Sequence, residues 1–274
     1  MDAFLKQVVE HCHSVPPEFI SVVVAGCAIL CVFTFYKYFG VTGLHVYNSL
    51  VICLANIQIL HLTQFAYIDV QVPLGTVLFT TTFLANWIIS GECGAAEARK
   101  SVLLSSLAYV LFSGHMLLAL AHSPVRQLDT YSLQALSKYQ ALLEIFIPSL
   151  RIILASILAY IISQFFYIRF IVKAGATSLA KTEAGAENAG KTPHRPLQYP
   201  QGAIVFLQQS LSMFLSSIID HIVFSIFAFY IFPAVKPTIH LFINGYVVSS
   251  FAVRLVTIAI CTMSACCYTL LRKK

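Results

Sequence analysis

Apolar residues come in runs close to the roughly 20 residues that a bilayer-spanning helix requires, separated by short stretches rich in Gly, Pro and charge. Seven runs predict seven transmembrane helices, at residues 19 to 36, 45 to 66, 74 to 90, 101 to 121, 145 to 171, 207 to 232 and 242 to 271. The third is the weakest. Thr80, Thr81, Thr82 and Asn86 interrupt its apolar stretch, so it must tilt, re-enter, or be shielded by neighbours. Gly40 and Gly43, Pro73 and Gly75, Gly91 and Gly94, Pro124, Pro148, Pro200, Pro233 and Pro237 punctuate the breaks. The fold class predicted is an all-α, polytopic membrane protein.

Composition agrees. Of 274 residues, 58% are hydrophobic and 10% charged, and the mean hydropathy is +0.82; a soluble domain carries about a quarter charged residues. The net charge of +6 does not point to nucleic acid, because 17 Lys and Arg are scattered between apolar runs rather than gathered on one face. Of the eight cysteines, Cys27, Cys31, Cys53, Cys261, Cys266 and Cys267 lie inside apolar runs, where a thiol acts as a small hydrophobe rather than part of a disulfide framework. Asp2, Lys6, Glu10, His11, His13, Pro16 and Pro17 make the start unlike a cleaved signal peptide, so no targeting segment is expected to be removed.

Basic residues in the loops set the orientation. One side receives Lys37, Arg99, Lys100, Arg169, Lys173, Lys181, Lys191, Arg195, Arg272, Lys273 and Lys274; the other receives only Lys6, Arg126, Lys138 and Lys236. The amino terminus is therefore expected outside and the carboxyl terminus in the cytoplasm. Residues 173 to 202 lack apolar periodicity and are rich in Gly, Ala, Thr and Pro, which predicts a flexible cytoplasmic loop and no second domain.

Arg151, Asp220 and Arg254 fall inside apolar runs. At about 1.5 Å per residue, Asp220 lies roughly 20 Å into the sixth run and Arg254 roughly 18 Å into the seventh from the opposite side, so both sit near the midplane. A charge there costs on the order of 3 kcal/mol on insertion scales and rarely faces lipid, so the two are expected to face one cavity. Ser212, Ser216 and Asp220 are spaced four apart, as are Tyr246, Ser250 and Arg254, with Thr257 and Cys261 continuing that stripe. Ser156, Tyr160, Ser163, Gln164 and Tyr167 share a face of the fifth helix. Plain helix packing is the competing explanation for the serines.

Asn56 and Gln58 of the second run are two apart, so only one readily faces a given cavity; His61, without a companion ligand, does not make a metal site. His221 follows Asp220 directly and points about 100° away, which does not present it as a base. No HExxH, GxSxG, phosphate loop or catalytic acid pair occurs, so neither an enzyme nor a cofactor is expected.

YFGVTGLHVYNSLVICLANIQILHL (38 to 62), FLANWIISGECGAAEARKSV (83 to 102), PSLRIILASILAYIISQFF (148 to 166) and LSMFLSSIIDHIVFSIFAF (211 to 229) resemble, in order, motifs of the queuosine precursor transporters, the vitamin uptake transporter family of bacterial inner membranes. The resemblance implies residues 1–37 as an extra amino-terminal segment and helix, and 38–274 as a six-helix transporter core containing the loop at 173–202. It implies multi-pass insertion in the inner membrane and import of a 7-deazaguanine base or queuine for tRNA modification. The expected partners are that small molecule and the lipid bilayer, with no direct contact to nucleic acid; self-association is left open.

Carried across residue by residue, Asn56 and Gln58 match the family's LANIQ, Arg151 its PSxRI, Gln164 its SQ, and Asp220 its Ile-Asp. Arg254 stands where members often have Lys. Asn86 and Trp87 replace the Thr and Asp of FLATD, Gly91 replaces a following acid, and Tyr167 and Cys261 stand where Asp is common, which weakens any preference for a cationic aminomethyl base. Together with Tyr160, these residues form the expected substrate site. A carboxylate accepts the N1 and exocyclic amine hydrogens of a guanine-like base together, which suits Asp220, while Asn56, Gln58, Gln164 or Arg254 can donate to its acceptors. An aromatic face stacks on the ring, and Trp87 is a candidate, with interfacial anchoring as its alternative. Rival readings are a transporter of another nucleobase or vitamin, a substrate-binding subunit that needs a separate energising ATPase, and a membrane enzyme or assembly scaffold.

Overall fold

The computed structural model describes residues 2–59, 61–65, 70–124, 130–146, 149–186, 203–231 and 249–271. Helix α1 (Asp2–Cys12) is followed by Pro16 and Pro17, and Pro17 opens α2 (Pro17–Gln58), where a missing N–H costs nothing. A straight helix of 42 residues would extend about 63 Å, twice the hydrocarbon thickness. It is not straight. Gly40 leaves the helix at φ 60°, ψ −144°, a conformation open chiefly to glycine. The rings of Phe35 and Tyr47 then lie 6.1 Å apart, although twelve residues of continuous helix would separate them by about 18 Å. A Cβ on Gly43 would run into the Phe35 carbonyl. The chain thus folds back into two packed limbs, 17–39 and 41–58.

Strands β1 (Leu62–Phe65) and β2 (Val70–Pro73) form an antiparallel hairpin, in register from Leu62 with Pro73 to Phe65 with Val70. This corrects the second predicted span, which continues to residue 66, within a chain that is otherwise helical. The helix stops at Gln58 because Phe65 and Val72 are buried on the hairpin's inner face while Leu62 stays exposed, an alternation that a two-residue period serves and a helix does not.

Helix α3 (Gly75–Cys93) and α4 (Ala95–Leu120) are separated by Gly94 alone, at φ 86°. Next comes α5 (Thr130–Phe146), which the sequence reading leaves as part of a connection; the Tyr139 hydroxyl donates to the Leu120 carbonyl at 2.8 Å and ties it to the end of α4. Helix α6 (Ser149–Ala186) continues fourteen residues into the stretch expected as a loop, through Ala, Leu, Lys and Glu positions of high helix propensity. The rest of that stretch, 187–202, lies outside the described residues. Helix α7 (Ala203–Ser225) ends in a π-helical turn (Ile226–Ile231), and α8 (Ser249–Leu271) closes the fold.

Among the described residues, four helical stretches are long and apolar enough to cross a membrane: Pro17–Gln58, Ala95–Leu120, Ile152–Phe170 and Leu211–Ala228, with Val253–Ala265 a shorter apolar helix. Leu103, Leu104, Leu107, Val110 and Leu111 of α4 face outward, as lipid-facing side chains do. The chain is a helical membrane protein. Helix α3 is absent from the spanning set, and its surroundings say why. Every residue from Gly75 to Ser90 is buried, with α2, α4, α6 and α8 packed around it. Of the three fates open to the weak third run, shielding by neighbours is the one observed. Thr80, Thr81 and Thr82 each donate to a carbonyl three or four residues back, so their hydroxyls are satisfied within the helix.

Candidate functional site

A small cavity lies at one end of the bundle, the end that carries the hairpin. Its wall comes from the last turn of α2 (Ala55, Asn56, and Ile59 just beyond), the first turns of α3 (Gly75, Thr76, Phe79), the early part of α6 (Ser156, Ala159), the late part of α7 (Asp220, Phe224) and Arg254 near the start of α8. Gly75 is required there: a Cβ would collide with the Ala55 carbonyl, so only glycine lets α2 and α3 approach this closely.

Asp220 and Arg254 meet on this wall, as their matched depths predict. Nη1 of Arg254 donates to Oδ2 of Asp220 at 2.7 Å, to the Ser217 carbonyl at 3.2 Å and to Ser217 Oγ at 3.4 Å. Ser163 Oγ donates to the other carboxylate oxygen, Oδ1, at 3.2 Å. Asp220 is 2% exposed and Arg254 5%. Removing either partner would strand a charge, which costs 3–5 kcal/mol in typical buried pairs, roughly speaking. The pair is not saturated. Each carboxylate oxygen keeps a lone pair beyond the bond described, and the buried Nε of Arg254 has no acceptor. The cavity therefore offers a charged acceptor beside an unused charged donor, flanked by the rings of Phe79 and Phe224.

Deeper in the bundle lies a second polar cluster without charge. Asn48 Nδ2 donates to Asn86 Oδ1 at 2.9 Å and to Ser101 Oγ at 3.0 Å. Asn86 Nδ2 donates to Gln164 Oε1 at 2.9 Å, and Gln164 Nε2 to Thr82 Oγ1 at 3.0 Å. Ser105 Oγ and the Tyr160 hydroxyl are bonded at 3.0 Å. These bonds join α2, α3, α4 and α6, and all of these side chains are buried.

The sequence-predicted residues thus separate. Asn56, Asp220 and Arg254 line the cavity. Asn86, Tyr160 and Gln164 belong to the deeper cluster. Gln58 is half-buried at the end of α2 and is not among the lining residues, in keeping with its two-residue offset from Asn56. Trp87 is 1% exposed and meets Tyr268 edge-on at 6.2 Å, so it is neither an interfacial anchor nor part of the cavity wall. The side chains of Arg151 and Ser250, and the whole of Tyr246, lie outside the described residues. Ser212 and Ser216 are buried on α7, and Thr257 and Cys261 on α8, as the stripes require.

Sequence reasoning missed Phe79, Phe224 and Thr76 in the wall, and Asn48, Ser101 and Ser105 in the deeper cluster. The phenylalanines are two of 21 in the chain, and nothing local marks them. Asn48 could have been found, because it precedes Asn56 by eight residues and so lies near the same helix face. Among the described residues no group of three His, Cys, Asp or Glu is placed to hold a metal ion.

Comparison with known proteins adds a family. A probable queuosine precursor transporter of Bacillus subtilis (strain 168) is 27% identical over 235 residues, covering 84% of this chain and 86% of that protein. No solved structure matches. The sequence profile of the putative vitamin uptake transporters matches residues 73–263, from the end of the hairpin to the middle of α8 and across both partners of the buried ion pair. By that match the chain belongs to the putative vitamin uptake transporter family, whose members are transporters rather than enzymes.

Proposed function

We propose that this protein imports a queuosine precursor, a 7-deazaguanine base or queuine destined for tRNA modification, and that the Asp220–Arg254 cavity binds it. The likeness to the Bacillus subtilis protein supports that substrate class. The observation that carries the site is a buried ion pair on a cavity wall whose guanidinium keeps an unused donor, Nε. A guanine-like edge supplies the missing partners. Its N–H groups donate to the free lone pairs of Asp220, its carbonyl accepts from Arg254 Nε, and its faces lie against Phe79 and Phe224. Asn56 adds a polar group whose Nδ2 is held by the Ile52 carbonyl at 2.8 Å. Asn86, Tyr160 and Gln164 act one layer away by holding α3 and α6.

The same reading gives the chain seven membrane crossings, counting the two limbs of α2 separately and α3 as a shielded crossing, in a bacterial inner membrane with the amino terminus outside. The asymmetry of loop Lys and Arg supports that orientation. Transport follows when the bound base and the pair together favour a repacked arrangement of the helices.

The decisive measurement is queuosine content of tRNA in a strain unable to make the modification, supplied with each base, with and without this gene. The wild-type chain should restore queuosine with at least one of them. Asp220→Asn should lower uptake by at least about tenfold, the loss expected for charged hydrogen bonds, at unchanged protein level in the membrane. A wild-type chain that restores nothing with any base overturns the function; an Asp220→Asn chain with full uptake overturns the site.

A further inference from the structure

The end of the bundle away from the hairpin carries two glycines at positive φ: Gly40, where α2 reverses, and Gly94, the one residue between α3 and α4. There the second limb of α2 meets α4 along a polar seam. At its mouth Nε2 of His45 lies 3.3 Å from Oε1 of Glu97, and Lys100 Nζ donates to Oε2 of Glu97 at 2.9 Å. One turn deeper on both helices, Asn48 Nδ2 donates to Ser101 Oγ at 3.0 Å and also to Asn86 Oδ1 on α3. The two levels differ in burial. The side chains of His45 and Glu97 are 14% and 32% exposed, whereas Asn48 and Ser101 are fully enclosed. Two atoms of the seam are left over: His45 Nδ1 and Asn48 Oδ1 are buried without a partner, three residues apart on one face of α2. With Nε2–H directed at Glu97, Nδ1 of a neutral imidazole is an acceptor, as Oδ1 is. Two buried acceptors without a donor are a cost of this closed arrangement that entering water removes.

We infer that the His45–Glu97–Lys100 bridge is the latch of a release gate: when it parts, α4 swings on the Gly94 joint and the α2–α4 seam opens to let the solute out. The inference rests on the proposed transport of a 7-deazaguanine base, in whose orientation this end faces the cytoplasm. The bridge is suited to parting. Lys100 is 71% exposed, and partly exposed pairs hold far less firmly than an enclosed one such as Asp220 with Arg254. Movement of α4 breaks the Asn48–Ser101 bond but leaves the Asn48–Asn86 bond between α2 and α3, so the seam opens without dismantling the rest of the bundle. A single glycine linking two helices is a joint that can absorb the change in backbone angles. The polar bridges at the two ends therefore divide the work: Asp220 with Arg254 holds the solute, and His45 with Glu97 controls its departure.

Locking the latch tests the gate. In the full chain carrying Cys93→Ser and Cys267→Ser, which removes two exposed thiols, His45→Cys with Glu97→Cys is joined by a short thiol crosslinker that a reductant cleaves. Crosslinking should lower uptake of a labelled 7-deazaguanine base into vesicles by at least about tenfold, and reduction should restore it. The equilibrium Kd in detergent should stay within about twofold, because the lock holds the arrangement that already binds. Full uptake through a verified crosslink overturns the gate and leaves the ion-pair site standing. A Kd weakened as much as uptake overturns it too, since the pair would then shape the binding site. Where the double-cysteine chain does not fold, Glu97→Lys, which sets a cation beside His45 and Lys100, should lower uptake, and adding His45→Glu should return most of it. An added His45→Glu that returns nothing overturns the latch. Wild-type protein that neither binds nor moves any 7-deazaguanine overturns the proposed function, and the gate with it.

Discussion

The ion-pair cavity and the amide cluster beneath it are both polar, both buried and both shared among several helices, yet they are built on opposite terms. The cavity keeps empty volume and an unused donor on Arg254. In the cluster Asn48, Asn86, Gln164 and Thr82 bond one another side chain to side chain, with Asn48 Oδ1 alone among their bonding atoms left without a partner. Charge with room around it is what a ligand can answer; neutral groups that answer each other lock helices together. The difference separates recognition from scaffolding among residues that the sequence presents as one group.

Four variants test that separation. Arg254→Ala should have the largest effect, leaving Asp220 buried and unpaired at a cost of about 3–5 kcal/mol, seen as loss of monodisperse protein in detergent and of all uptake. Replacing both partners together, Asp220→Leu with Arg254→Leu, should return much of the stability and none of the transport; transport by that double variant would remove the pair from the site. Asn86→Leu should come next. It orphans Gln164 Oε1 and one donor bond of Asn48, so thermal stability should fall by about 1–3 kcal/mol for each stranded group, while the Kd for the base changes little. A folded Asn86→Leu chain that cannot bind would merge the two clusters into one site. Gln58→Ala should be the smallest, within about 0.5 kcal/mol in stability and without effect on uptake; a large loss of uptake would place Gln58 beside the substrate after all.

Much of this was legible in the chain. Asp220 and Arg254 could be matched because depth along a helix follows from residue counting, and two opposite charges at one depth in hydrocarbon have few alternatives to meeting. Gly40 and Gly43 were legible as a break, though not that Gly40 reverses the chain while Gly43 lets the limbs touch. The hairpin was hidden because LTQF falls inside an apolar run that hydropathy assigns to a helix and VQVP in the short gap before the next, and only pairing across a turn reveals them as strands. Helix α5 was hidden because its polar face and modest apolar content resemble a connection. The burial of Trp87 against Tyr268 was not legible because a lone tryptophan has the same composition signal at an interface, in a binding site or in a core. Tyr268, which it meets, is 181 positions away in sequence, and periodicity carries no information across such a distance.

Helix α3 carries a consequence for how the molecule is made. Its threonines and Asn86 are acceptable only because other helices wrap it, and three of those, α4, α6 and α8, are synthesised after it. Facing lipid alone, α3 would be a poor lodger, so its stable lodging must await the ribosome's progress to those later segments. Early truncations should therefore leave a nascent chain that quality-control proteases recognise, however apolar the rest of it is.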